Sequence, residues 1–451
     1  MTALSPAPTL PAFAELEPRL ALALETATRN GASAAEAFLS VSRGLSVNVR
    51  MGEAESVQFQ RDRELSVTVF FGQRTGTAGT TDLSDAALAR TVAAACAIAQ
   101  AGGEDPCVGL ADPALMATRF PDLDLFHPWA LETETAIELA RDCEAAAFAS
   151  DPRVTQSEGA SIDTRQALSV YANSHGFIGQ RRSTDYSLGC AAIAVQGDAM
   201  QVGHWYSAAR HRDDLEDPAA IGRRAGERAA ARLGGRSLST RTAPVLFPAE
   251  VARGLFGHFI NAISGGALYR RASFLHGKLG EIVFANRVTA RQLPFIPRAA
   301  GSSAYDQEGV ATHERTLIDG GVLSGYLLGS YSARKLGLTT TGNSGGVFNL
   351  VVDPTYGGGL AELTKEMGTG LIVTDLMGQG VNTVTGDYSR GASGYWVENG
   401  VIAYPVDEIT IAGNLSTMFR GISAIGNDVD SRSIVRCGSI LLDALTIAGE
   451  A

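Results

Sequence analysis

Seven histidines, His127, His175, His204, His211, His258, His276 and His313, are the residues best suited to metal or acid–base chemistry in this 451-residue chain. No two of them stand three or four positions apart. A hydrolytic zinc helix needs two histidines about one turn apart, so that both rings reach one ion. It also needs a glutamate beside the first, to take a proton from the metal-bound water. The single His-Glu pair is His313-Glu314, and Leu317 and Ile318 follow where a second ligand would stand. The residues alone therefore give no metal helix, although a site assembled from scattered positions stays open. His258 lies seven residues after Val251, on the border of an apolar helical face, where a lone histidine is usually a core or interface residue.

Gly342-Asn343-Ser344-Gly345-Gly346 matches the G-x-S-x-G string by letter. A nucleophile elbow requires a helix after the serine, to hold the strained turn that exposes its hydroxyl. Here strand-like FNLVV follows. The segment reads instead as a glycine-rich loop around Asn343, whose backbone amides line a cleft or an interface. No G-x-G-x-x-G opens a helix, and Gly277-Lys278-Leu279-Gly280 lacks the Ser or Thr of a phosphate loop. Cys437, at the start of a strand-like run, reads as a buried thiol. Tyr388-Ser389-Arg390-Gly391 and Tyr395-Trp396 stand near a hairpin, where aromatic residues pack or line a cleft.

The elements that would position these residues follow from periodicity. Leu16, Leu20 and Leu24 repeat every four residues, and Pro18 sets the expected helix start near residue 18. Leu45, Val47, Val49 and Met51 alternate with polar residues, as do Leu65, Val67, Val69 and Phe71, which predicts antiparallel strands with one covered face. Ser84 caps an alanine-rich helix that ends at Gly102-Gly103, and a second helix is expected over 132–148. Four or five strands are expected over 153–211, then a helix from Asp217-Pro218 to Leu233. A domain boundary is placed at residue 235. Beyond it, APVLF reads as a strand, and a helix from Pro248 carries Val251, Leu255, Phe259 and Ile263. Strands with hairpin turns at Asp319-Gly320 and Asn399-Gly400 dominate the rest.

Composition narrows the classes. The net charge of −11, without a basic run, argues against a nucleic-acid binder. No run of 18 apolar residues exists, so no membrane span is expected. The amino-terminal segment has neither the charge nor the apolar core of a secretory signal. Five widely spaced cysteines suit free thiols in a reducing cytoplasm. Of 51 glycines, 19 fall in 1–235 and 32 in 236–451, so the second half is richer in turns and close backbone approaches. The residues by themselves give an α+β protein of two domains, 1–235 and 236–451, with a Gly-rich second domain.

Three long segments carry a resemblance: HFINAISGGALYRRASFLHGKLGE, AYDQEGVATHERTLIDGGVLSGYLLGSYSARKLGLTTTGNSGG and SRSIVRCGSILLDALTIAG. They resemble the TldD/PmbA family, in its PmbA (TldE) branch. The resemblance implies a curved N-terminal antiparallel sheet with packed helices and a C-terminal β-barrel-like domain. It also implies a two-subunit zinc peptidase acting on short or unfolded peptides. In such a complex the TldD subunit carries an H-E-x-x-x-H helix and a C-terminal Cys ligand. Carried onto this chain, the first His is Arg253, the Glu is Gly254, the second His is retained as His258, and the Cys survives as Cys437. The implied role is a non-catalytic subunit with no cofactor of its own. Zinc would sit in the TldD partner, while Arg253, Gly254, His258, Asn343 and Cys437 would face a cleft or the partner. The alternative is a stand-alone homodimer that binds peptides or a regulator.

Overall fold

The computed structural model describes residues 10–449. Prolines at positions 6, 8 and 11 predict an extended arm over residues 1–12, most of which lies outside the described residues. Helix α1 (Phe13–Arg29) begins earlier than Pro18 suggests. Pro18 forfeits one backbone bond, yet Leu16, Leu20, Ala23 and Ala27 are buried on both sides of it. The Glu15 carboxylate also accepts the Ala12 N–H at 2.8 Å and closes the first turn.

Strands β1 (Ala34–Arg50), β2 (Glu53–Phe71) and β3 (Arg74–Thr80) are followed by α2 (Asp85–Ala101) and α3 (Thr133–Ser150). Then come β4 (Val154–Asn173), β5 (Ile178–Gln196), β6 (Ala199–Ala209) and α4 (Pro218–Ala231). The six strands form one antiparallel sheet in the order β3-β2-β1-β4-β5-β6, curled into a half-barrel. One face carries both helix layers. Leu39, Leu65 and Val67 pack under α1 and α2, and Val47, Ile162 and Leu188 under α3 and α4. Residues 153–211 thus hold three strands rather than four or five. β4 and β5 are 20 and 19 residues long, and bulges near Val154 and Ser157 keep polar stretches inside the ladder. Helices α3 and α4 touch backbone to backbone at Gly222, where an added Cβ would stand 1.8 Å from the Cys143 carbonyl oxygen.

The second half opens with β7 (Arg241–Phe247), α5 (Ala249–Ala262) and α6 (Gly265–Tyr269). Short strands β8 (Ala290–Gln292), β9 (Arg315–Asp319) and β10 (Val322–Leu323) precede α7 (Ser330–Leu336), β11 (Leu350–Val352) and α8 (Leu360–Met367). The chain ends through β12 (Gly370–Met377), β13 (Asp387–Glu398), β14 (Val401–Asn414), α9 (Leu415–Arg420), β15 (Ile422–Ile425), β16 (Val435–Arg436) and β17 (Ile440–Gly449). Strands β14, β13, β12, β7 and β17 run side by side, and β14 pairs again with β17, which closes a five-stranded barrel. The expected mixed α+β architecture, a curved helix-covered sheet and a barrel, is therefore what the chain forms. The β13–β14 turn has Asn399 and Gly400 at φ 53° and 75°, the two left-handed residues of a tight hairpin. A second sheet, β10-β9-β8-β11-β16, lies beside the barrel. Phe256, Phe284 and Phe419 stack in the core, with Phe284 and Phe419 centroids 4.3 Å apart, and Phe259 meets Phe284 edge-on. All five cysteines are free. Among the described residues no helix is long and apolar enough to cross a membrane.

Candidate functional site

Helix α5 follows directly from barrel strand β7. Pro248 precedes its first turn, and Glu250 sits where an acidic side chain favours the helix N-terminus. Ala252, Leu255, Phe256, Phe259 and Ala262 are buried on its inner face. The opposite face carries Gly254, Gly257, His258 and Asn261 and is open.

Arg253 leaves this helix toward the first half of the chain. Its Nη1 donates to the Tyr206 hydroxyl at 3.0 Å and lies 3.6 Å from Asp430 Oδ2. Asp430 is also gripped by Arg432, whose Nε and Nη2 donate to its two oxygens at 2.9 and 3.0 Å. Burial works to raise the Asp430 pKa, but the Arg432 hydrogen bonds and the two guanidinium charges outweigh it and hold the carboxyl below its ordinary value. Arg432 reaches on to the Tyr206 carbonyl and lies 4.2 Å over the Trp205 ring, which Arg224 covers at 3.6 Å. Arg228 pairs with Glu250 of α5. Ion pairs and aromatic faces thus fasten α5 to β6 and α4.

Cys437 lies next to this network. It is fully buried, its carbonyl accepts the Asp430 N–H, and burial together with the Asp430 and Asp428 carboxylates raises its thiol pKa, against the pull of Arg253. It is held as a thiol. His258 faces another way. Its ring stands edge-on to Tyr388, centroids 5.9 Å apart, and partial burial plus the Arg390 charge lowers its pKa. Arg253 and Cys437 therefore share the Asp430 neighbourhood, whereas His258 belongs to a Tyr388–Arg390 group.

Asn343 belongs to a third place. It is buried, and its Oδ1 accepts from Arg315 and Thr341 at 2.9 Å each. Its Nδ2 donates to Gln292 at 2.7 Å and to the Gly346 carbonyl at 2.8 Å. The loop then runs into β11, so no helix stands behind Ser344.

These donors do not fit a resident zinc ion. A structural or hydrolytic zinc takes three or four thiolate, imidazole or carboxylate ligands. Among the described residues no three such groups are placed together. Cys437 is held protonated, and a guanidinium already paired with Asp430 stands on α5 beside it. Sequence reasoning missed Asp430 and Tyr206. Both act across chain separations that carry no local signal, although Asp430-Ser431-Arg432 has the short spacing of a carboxylate gripping the amide and side chain two residues on.

Family models match three consecutive stretches of the chain. They are PmbA/TldA metallopeptidase domain 1 over residues 35–99, the central domain over 126–233 and the C-terminal domain over 240–449. The metalloprotease PmbA of Escherichia coli O157:H7 is 46% identical over 437 residues, covering 96% of each chain. The PmbA homologue of Haemophilus influenzae is 46% identical over 435 residues with the same coverage. The chain belongs to the PmbA/TldD metallopeptidase family. Its fold is close to that of a Bacteroides thetaiotaomicron protein described as a candidate modulator of DNA gyrase, with TM-score 0.92 and 29% identity over 97% of this chain and 99% of that one. TldE of Thermococcus kodakarensis shares the fold at TM-score 0.80 and 19% identity, covering 96% of this chain and all of that one.

Within this PmbA/TldD-family chain, the open face of α5 gives a direct expectation. An added Cβ at Gly254 meets nothing within 4 Å. Gly254→Ala should therefore raise stability by about 0.5–1 kcal/mol through helix propensity alone. Thermal unfolding measures it, and a destabilised variant would show that the face is filled.

Proposed function

We propose that this chain is the non-catalytic, PmbA-type subunit of a cytoplasmic zinc-dependent peptidase complex. A TldD-type partner would carry the zinc helix and the general base, and this chain would complete the chamber that admits short or unfolded peptides. The observation that carries the reading is Arg253. Where the resemblance puts the first zinc histidine, this chain has a cation committed to Asp430 and Tyr206, and where it puts the base, it has Gly254. Neither can bind zinc or take a proton from water at neutral pH.

The first sheet supports a partner of similar build. Among the described residues strand β3 pairs only with Leu65–Phe71 of β2, which leaves the outer half of β2 as a free edge. Val57 and Phe59 stand exposed on it, and such an edge suits a second chain.

The test mixes the purified chain, a TldD-type subunit, zinc and an unstructured peptide. Each subunit alone should leave the peptide intact, and the mixture should cut it and migrate as a heteromer. Cleavage by this chain alone, or failure to form a heteromer at micromolar concentration, would overturn the reading.

A further inference from the structure

Strand alternation in β13 puts Tyr388, Arg390 and Ala392 on one face. Tyr388 and Ala392 are buried in the core cluster that contains α5. Arg390 stands between them, half-buried, and its charge reaches His258 on the helix. Its Nε donates to the Met377 carbonyl at 3.0 Å, while its two terminal nitrogens have no hydrogen bond or ion pair among the described residues. Arg210, Arg228, Arg253 and Arg432 each have a carboxylate partner, whereas the Arg390 fork has none among the described residues.

Two neighbours are unsatisfied as well. The Tyr388 hydroxyl is buried with no partner among the described residues, in a residue only 2% exposed. A buried phenol without a partner is costly, and a ligand oxygen would relieve it. His258 makes no hydrogen bond among the described residues. Beside them the open α5 face has no side chain at Gly254 or Gly257, and built Cβ atoms there meet nothing within 4 Å. An extended peptide could therefore come close to the helix. Exposed Met377, at the end of β12, and Val384, in the connection to β13, offer it apolar contact.

We infer that Arg390, with the Tyr388 hydroxyl and His258, forms a carboxylate-binding site beside the open face of α5, and that a peptide carboxylate occupies it. The planar guanidinium presents two parallel N–H donors that match a carboxylate, and the phenol adds a third. The proposal rests on the peptide-chamber reading above and adds to it the anchor that fixes where a peptide lies. A chain-terminal carboxylate and an acidic side chain offer the same chemistry.

The experiment uses the full chain assembled with its TldD-type partner, in chelator to prevent cleavage. Three N-terminally labelled heptapeptides of alanine, valine and glycine are titrated by fluorescence anisotropy. One has a free C-terminus, one is amidated, and one is amidated with an internal glutamate. At least one carboxylate-bearing peptide should bind about tenfold or more tightly than the neutral one. Arg390→Gln should abolish that advantage and leave the neutral peptide unchanged. Arg390→Lys keeps the charge but loses the fork, and should retain only part of the advantage. Arg90→Gln, on the exposed face of α2, should change nothing. Which of the two carboxylate peptides wins identifies the source. Equal binding of all three peptides, or an advantage that survives Arg390→Gln and Arg390→Lys, would overturn the site while leaving the chamber reading intact. Binding of no peptide by the wild-type complex would overturn both.

Discussion

Asp430→Asn should destabilise the protein by about 3–5 kcal/mol, the range for breaking a buried ion pair from one side. The asparagine keeps the shape of the aspartate and its backbone bonds to Cys437. It cannot keep the charge, and its amide group must turn an N–H toward one of the Arg432 donors. The side chain of Arg432 is 12% exposed and that of Asp430 5% exposed, so little water can replace what is lost. Arg253, at 3.6 Å and 30% exposed, is the lesser partner, and Arg253→Ala should cost about a third as much or less. Because the folded Asp430 pKa lies below its unfolded value near 3.9, the stabilisation is fully present above about pH 4 and is lost as pH falls through the folded value. Asp430→Asn should therefore lower stability at pH 7 and approach the wild type in strong acid. Urea unfolding at several pH values measures both arms. A loss below about 1 kcal/mol at pH 7 would show that water, not Asp430, satisfies Arg432.

The regular elements were legible because each carries a local pattern. Val47 and Val49 alternate into the core, Ser84 accepts the Ala87 N–H at 3.3 Å, and Asp217 caps α4 through Ala220 at 3.1 Å. Asn399-Gly400 names its own turn. Pro18 misled, because propensity weighed more in the sequence than the buried leucines around it. The length of β4 and β5 was hidden for a related reason. Pairing with strands on both sides holds polar residues in a ladder that their own preferences would end. Closure of the barrel depends on β14 meeting β17, a pairing no local signal carries.

The candidate site was legible only in part. His258 and Cys437 could be found from the resemblance, but spacing could not show that they belong to different groups. Arg253 could be placed at a ligand position, yet its partner Asp430 is reached through a loop far along the chain. Electrostatic partners across such separations become visible only when the barrel and the curled sheet meet. The same holds for Asp306, an acid in irregular chain that no motif distinguishes.

Asp306 gives the second large effect. Its Oδ1 accepts the Glu308 and Val310 N–H groups at 2.9 and 3.0 Å, and its Oδ2 accepts from Ser344 at 2.9 Å. Those bonds favour the charged form, but burial outweighs them, the nearby Glu308 charge adds to it, and the pKa is pushed up to about 7. Glu36, partly buried with Tyr171 donating to it at 2.7 Å, is shifted upward by burial and by the same Glu308. A carboxyl whose pKa is higher when folded holds a proton that the unfolded chain has already released. Its contribution to stability is therefore fully present below about pH 4, declines as pH rises, and is gone above about pH 7. Raising a carboxyl from its ordinary value to about 7 corresponds to about 4 kcal/mol across that interval. Asp306→Asn removes the ionisation and keeps an acceptor for Glu308 and Val310. It sets an amide donor against the Ser344 N–H, at a cost of about 1–3 kcal/mol. The variant should therefore be less stable than the wild type near pH 4 and more stable at pH 8, with the curves crossing between. A weaker decline due to Glu36 should remain. Unfolding free energies from pH 4 to pH 8 decide the matter, and parallel curves for the two proteins would mean that Asp306 stays ionised throughout. The loop that binds Asp306 through Ser344 is the one whose G-x-S-x-G letters first suggested a nucleophile. In the folded chain that serine's amide, rather than its hydroxyl, holds the acid in place.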